Sequence, residues 1–456
     1  MKQLHIFLFI AILSGALRAE QITLPSDMPY QDEKFSCISS QDADRYVKDF
    51  GVDVNSFGGR ELCDSKVEFK KLMNDFYLIE KGTFNQGTNV FIKDFIPAGQ
   101  YYSWMKSQTQ GVERGNDVPY ATAYNSGGYF TMQDGWAKLS TLGRVGTVIH
   151  EARHTAGYRH VPCNQGTYQG SNLPGCDSSY SYGGSHAIEM EYYGRVSVLG
   201  TNFHPVYKKM ARLMAIGRSN IFFNTPIIQK KEAVMALSLD RKKSFVLLDN
   251  KQWVTKEVPA VSGKLKRTSF GAVIFDLKKA FAIDPYQNSG FADLVEDVYS
   301  YFKLLGEGTS ILKDLEEYDV GVKRYVTQVT AADQISNYDF PSGQWGTSYK
   351  LPFPVVQTST VIPASTTAGY YLIQSTGQVA QYQPQTGRVS VLTSKWDFSN
   401  QKVISYNDEV LLLKANGEIR SVSGSAEKPW SMAQNLGAIS DLVSFPVYDG
   451  FNVVIE

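Results

Sequence analysis

Residues Thr147 to His160 read Thr-Val-Ile-His-Glu-Ala-Arg-His-Thr-Ala-Gly-Tyr-Arg-His, and their spacing suits chemistry at a metal ion. On a helix, His150 and His154 lie one turn apart on the same face, so two imidazoles can meet one ion. Glu151 sits one step round from His150, placed to take a proton from a metal-bound water without binding the metal. Gly157 permits a sharp reversal, which brings His160 back as a third nitrogen ligand. Three protein ligands leave a fourth position for water, as in catalytic zinc sites. The plainer alternative is three satisfied histidines on an ordinary helix.

Several elements must carry these residues. A helix is expected from about Ser140 to Ala156, ending at Gly157, where a left-handed residue can close it. A second helix, capped by Asp64, is expected to run to about Glu80, since Phe69, Leu72, Met73 and Phe76 recur with helical period. Val90 to Ile96 reads as an extended run stopped by Pro97. Tyr120 to Met132 reads as strands around a turn at Asn125-Ser126-Gly127-Gly128. Further helices are expected over Ser185–Val198 and His204–Ile216. The order fits a small mixed α+β domain with one sheet.

The run from 150 to 160 resembles the metzincin pattern, His-Glu-x-x-His-x-x-Gly-x-x-His, of secreted zinc metallopeptidases. The wording His-Glu-Ala-Arg-His with flanking cysteines is also similar to a group of uncharacterised exported bacterial proteins. The resemblance implies a zincin fold, one Zn2+ ion, hydrolysis of peptide bonds and a substrate cleft above the active-site helix. By matching position, the ligands would be His150, His154 and His160, and Glu151 the general base. A helix behind the sheet and a strand beside the cleft have counterparts in 65–80 and 128–133.

Metzincins also place a methionine turn beneath the metal. Met190-Glu191-Tyr192 has that spelling, yet 183–194 reads more as a helix, with Met190 an ordinary core residue. On such a helix Glu189 or Glu191 could instead supply the third ligand. His160 is preferred because it completes the motif. His186 and Tyr192 could donate to a reaction oxyanion, as could Tyr158 and Tyr193, or could simply be satisfied packing residues.

The four cysteines, Cys37, Cys63, Cys163 and Cys176, form no Cys-x-x-Cys pair. An even count favours two disulfides in an oxidising compartment. Pairing of Cys37 with Cys63 and Cys163 with Cys176 closes two short, turn-rich loops. Residues 1–19 have the form of a signal peptide, with Lys2, an apolar stretch from Ile6 to Leu13, and small residues at Ala16 or Ala19 for cleavage. That stretch is shorter than the ~20 residues of a membrane span. A secreted protein, periplasmic or extracellular, is expected.

The chain has 456 residues, 43% hydrophobic and 20% charged, enough for two or three folded domains. With 45 basic and 45 acidic residues, no strong basic field calls for nucleic acid. Residues 20–224 are read as the zincin-like domain and 225–456 as an all-β domain. There, Gly377 and Gly417 mark similar hairpins 40 residues apart, the blade spacing of a β-propeller; a β-sandwich is the alternative. Two functions compete. One is a secreted zinc metallopeptidase acting on a protein or peptide substrate that the β-rich half helps dock. The other is a non-catalytic protein- or glycan-binding module with a structural zinc site.

Overall fold

The computed structural model describes residues 28–448 apart from breaks, the longest of which are 165–173, 294–314 and 359–369. The expected signal peptide lies outside the described residues. The chain forms a mixed α+β half, whose core runs from Met28 to Phe223, followed by a half made of separate β-sheets with their own cores.

The first half is ordered as helices α1 (Ser40–Phe50), α2 (Glu68–Lys81) and α3 (Tyr101–Gln108), then strands β1 (Gly111–Arg114), β2 (Ala123–Ser126) and β3 (Tyr129–Met132). Helices α4 (Asp134–Ala137), α5 (Thr141–Thr155) and α6 (Ser185–Leu199) follow. Helix α2 buries Phe69, Leu72, Met73 and Phe76 as the periodicity requires. It begins three residues later than expected. Asp64 makes a turn instead of a cap, accepting from the Lys66 N–H at 2.9 Å, while its carbonyl takes the Val67 N–H at 3.1 Å.

Helix α5 is capped by Ser140, whose hydroxyl accepts from the Gly143 N–H at 3.2 Å. Gly157, at φ +94°, reverses the chain just beyond its end. The segment 207–215 is helical at its described positions.

Of the run expected to be extended before Pro97, residues 91–96 form a loop, not a strand, and Val90 lies outside the described residues. Phe91, Ile92 and Ile96 are buried, but no sheet takes the backbone donors. The Glu191 carboxylate takes them instead, accepting from Lys93 N–H at 2.7 Å and Phe95 N–H at 3.3 Å. A buried side-chain acceptor thus replaces a neighbouring strand.

The sheet has β3 in the centre, parallel to β1 and antiparallel to β2, with the β2–β3 turn at Gly127-Gly128. β2 is an edge strand, and Asn125 fastens it to α5 by donating to the Glu151 carbonyl and to Thr155 Oγ1. The strand packed against α5 is therefore β2, while the 128–133 strand expected beside the cleft lies one place further into the sheet.

The second half holds five antiparallel sheets among the described residues. Four take consecutive segments: 264–293, 315–350, 357–395 and 400–429. The fifth joins strands within 230–257 to the late strand Ile439–Tyr448, which pairs with Lys230–Ser238. That late strand also packs against Lys264–Thr268 and Asn400–Tyr406 of the neighbouring sheets. Gly377 and Gly417, at φ +85° and +84°, close equivalent turns in two successive sheets.

Candidate metal centre

The end of α5, the loop after Gly157 and the start of α6 converge on one cavity of about 260 Å3. It is lined by Ala121–Ala123, Thr147, His150, Glu151, His160, Gly175, His186, Glu189, Arg218 and Phe222. His150, His154 and His160 place one ligand atom each within 4.8 Å of one another. His150 Nε2 lies 3.0 Å from His160 Nε2, a short approach for two nitrogens that an ion between them would share.

Each of the three imidazoles has an acceptor behind it. His154 Nδ1 is 2.6 Å from the Tyr158 carbonyl, with Ser185 Oγ at 3.1 Å. His150 Nδ1 is 3.4 Å from Glu189 Oε2, and His160 Nδ1 is 3.3 Å from Asp177 Oδ1. The Tyr158 carbonyl and the Glu189 carboxylate favour the hydrogen on Nδ1 of His154 and His150 and leave Nε2 as the free electron pair, the tautomer a metal needs. His160 Nδ1 and Asp177 Oδ1, by contrast, are close without a formed hydrogen bond. Burial, then the neighbouring His186, keeps the His150 imidazole well below its ordinary pKa, and burial brings His154 down to about 4. Neutral rings are ready to bind a cation.

Glu151 is 4% exposed, and its Oε2 has no hydrogen-bond partner. Burial, with Glu189 nearby, pushes its carboxyl up to about 8. A carboxylate orphaned in a polar cavity beside three convergent imidazoles fits a zinc site with a solvent position open.

The disulfides Cys37–Cys63 and Cys163–Cys176 are both formed, the pairing expected from short loops. The second does more than close a loop. Val161 and Cys176 exchange backbone hydrogen bonds at 2.7 and 3.1 Å, which sets His160 beside Asp177.

Other expected residues are placed differently. Met190 lies within α6 and is fully buried in the core, so it forms no turn beneath the three histidines. Tyr192 is 1% exposed and packs edge-on to Tyr101 and Phe84, outside the cavity lining. It is a packing residue, not an oxyanion donor. His186 does line the cavity, but its Nε2 faces the Gly175 carbonyl at 3.1 Å and its ring stacks on Phe222 at 4.1 Å. Glu191 is spent on the 93–96 loop and on Arg195.

Sequence reasoning missed the partners: Asp177, Arg218 and Phe222, and the part Glu189 plays behind His150. Asp177 had a signal, since it follows a cysteine bridged to the ligand loop. Arg218 and Phe222 had none, because only the tertiary fold brings them to the cavity.

No protein-family model matches the chain, and no curated protein does. Solved structures give low likenesses. PorZ, a surface component of the type-IX secretion system of Porphyromonas gingivalis, is 12% identical over 44% of this chain and 27% of its own, with TM-score 0.22. Virginiamycin B lyase from Staphylococcus aureus is 9% identical over 43% of this chain and 69% of its own, with TM-score 0.22. AztD from Citrobacter koseri is 12% identical over 48% of this chain and 61% of its own, with TM-score 0.21. The chain thus spans about a quarter of PorZ and less than two thirds of AztD, and likenesses this low assign neither family nor function.

Proposed function

We propose that the protein is a secreted zinc-dependent metallopeptidase. One observation supports the reading: three imidazoles, each with an acceptor near Nδ1, bring one nitrogen apiece to one point beside buried Glu151, whose Oε2 has no hydrogen-bond partner. His150, His154 and His160 would hold the ion. Bound zinc supplies Lewis acidity and brings the pKa of its water toward ~7.

The chain's own residues supply the rest. Glu151 would accept the proton of the attacking water at its free Oε2 as the new C–O bond forms, and return it to the leaving amine nitrogen as the peptide C–N bond then breaks. The exposed edge of β2, with Ala121–Ala123 on the cavity wall, offers backbone groups along which an extended peptide can lie. An inert zinc site has no chemical need for Glu151, which favours the catalyst over the binding module. Two disulfides agree with export, and among the described residues no helix is long and apolar enough to cross a membrane.

For the β-rich half we propose a five-bladed propeller that docks substrate. Five successive antiparallel sheets, with the last strand completing the first sheet, support that architecture over a sandwich. The test is zinc content together with cleavage of a mixed peptide library. Glu151→Gln is expected to keep zinc and lose cleavage. A wild-type protein that holds zinc and cleaves nothing would favour the binding module.

A further inference from the structure

Glu189 is the most heavily engaged buried carboxylate around the cavity. At 1% exposure its oxygens meet His150 Nδ1 at 3.4 Å, His186 Nδ1 at 3.6 Å, Tyr193 Oη at 2.9 Å and Arg218 Nη2 at 2.9 Å. These partners come from α5, from α6 itself and from the segment that leads into the β-rich half. Helix α5 makes room for them. A Cβ at Gly146, one turn before His150, would stand 1.9 Å from Tyr193 Oη and 2.9 Å from Glu189 Oε1. Gly inside a helix costs about 1 kcal/mol relative to Ala, so the glycine has a specific use here.

Resting on the zinc reading, we propose that Glu189 is a positioning residue: it accepts the Nδ1–H of His150 and aims that ligand's Nε2, with Arg218 as its counter-charge. His150, His186 and Glu189 could also form a cation site of their own. The Arg218 guanidinium argues against it, because a metal on that carboxylate would have to displace or repel a cation already 2.9 Å away. The segment around Arg218 steadies a second ligand as well. Asp177, which faces His160, is paired through its backbone to Phe222 and Asn224 at 2.9 and 3.1 Å. Arg218, Phe222 and Asn224 therefore hold the partners of two candidate ligand histidines just before the sheets begin.

The test uses full-length, metal-free protein titrated with zinc and with cobalt(II) against a competing chelator. Glu189→Gln keeps an acceptor oxygen and is expected to weaken both metals about 10-fold; Glu189→Ala is expected to reach about 100-fold. Arg218→Met, which leaves Glu189 in place, should fall between wild type and Glu189→Ala. The visible cobalt bands of four-coordinate geometry should persist in Glu189→Gln and Arg218→Met, because the ligands are unchanged. Selective 15N-histidine labelling of metal-free protein should show His150 as the Nδ1–H tautomer in wild type and a mixture in Glu189→Ala. Wild-type affinity in all three variants would overturn the proposal. So would a changed cobalt spectrum with metal lost as fully as in His150→Ala, which would make Glu189 a ligand. If wild type itself binds neither metal, the peptidase reading falls and this proposal with it.

Discussion

The two halves bury different things. In the α+β half, charged side chains sit inside the protein: Asp32, Asp75, Arg144, Glu151, Glu189, Glu191 and Arg195 are all at or below 5% exposure. In the β-rich half the buried residues are mainly Val, Leu, Ile and Ala, and the buried polar ones are mostly Ser. Burying charge is costly unless it is paired, and here the pairs hold elements in place: Arg144 ties Asp32 and Asp75 together, Glu191 holds the 93–96 loop, and Glu151 and Glu189 line the cavity. The sheets meet most backbone needs strand to strand, and buried charge among their described residues is confined to pairs such as Arg267 with Glu232 and Lys402 with Asp441.

The sharpest way to break this contrast lies at Arg144. Its guanidinium meets Asp32 at 2.7 and 2.9 Å and Asp75 at 3.1 Å, all buried, at the start of the helix that carries His150. Arg144→Leu leaves two carboxylates without their cation and should cost about 3–5 kcal/mol. Chemical denaturation followed by near-UV circular dichroism would measure it. A loss below ~1 kcal/mol would show that the network is incidental.

The disulfides sharpen the comparison within the first half. Cys163–Cys176 closes 13 residues and Cys37–Cys63 closes 26, so the entropy model gives each about 3 kcal/mol. Their effects on metal should differ. Cys163→Ser frees the loop holding His160 against Asp177 and should weaken zinc more than Cys37→Ser does. Equal zinc affinity in the two variants would separate the bridge from the site.

Acid should separate the halves too. Unfolded histidines titrate near ~6.5, whereas burial holds His154 at about 4 and His150 and His186 below their ordinary value. Between these values the three histidines bind more protons in the unfolded chain. They outweigh Glu151 and Asp75, whose buried carboxyls are held at about 8 and bind more protons in the folded chain. Metal-free stability should therefore fall modestly as pH drops from about 6.5 to about 4. No histidine lies beyond His204, so the β-rich half has no such term in that window. Thermal unfolding at stepped pH checks this, and a flat profile for the first half contradicts it.

The smallest effect is expected in the sheets. Gly417 has φ +84°, and a Cβ there would stand 2.7 Å from the Ile439 backbone nitrogen. Gly417→Ala should cost about 1–3 kcal/mol through backbone strain, with zinc affinity unchanged. A drop in zinc affinity would mean the halves are less separate than their cores suggest.

The site was legible in sequence where local spacing decides it. His150, Glu151, His154, Gly157 and His160 fall within eleven residues of one helix and its turn, so helix geometry and one glycine specify them. The alternation of apolar runs with turns likewise marked the β-rich half. Contacts between distant segments were not legible. The 90–96 run looks like a strand because nothing local shows that Glu191, nearly 100 residues later, will satisfy its backbone. Met190 spells a methionine turn, but the buried face of α6 claims it. Glu189 looked like a spare ligand, since its distance to Nδ1 of His150 depends on how α6 packs against α5.

The central claim is that three histidines hold one zinc ion and that His160 is the third. Zinc titration of wild type and His160→Ala against a competing chelator tests it most directly. One ion per chain in wild type, with affinity lowered by orders of magnitude in His160→Ala, is the expected result. Equal affinity in the two proteins, or no zinc bound by wild type, would contradict it.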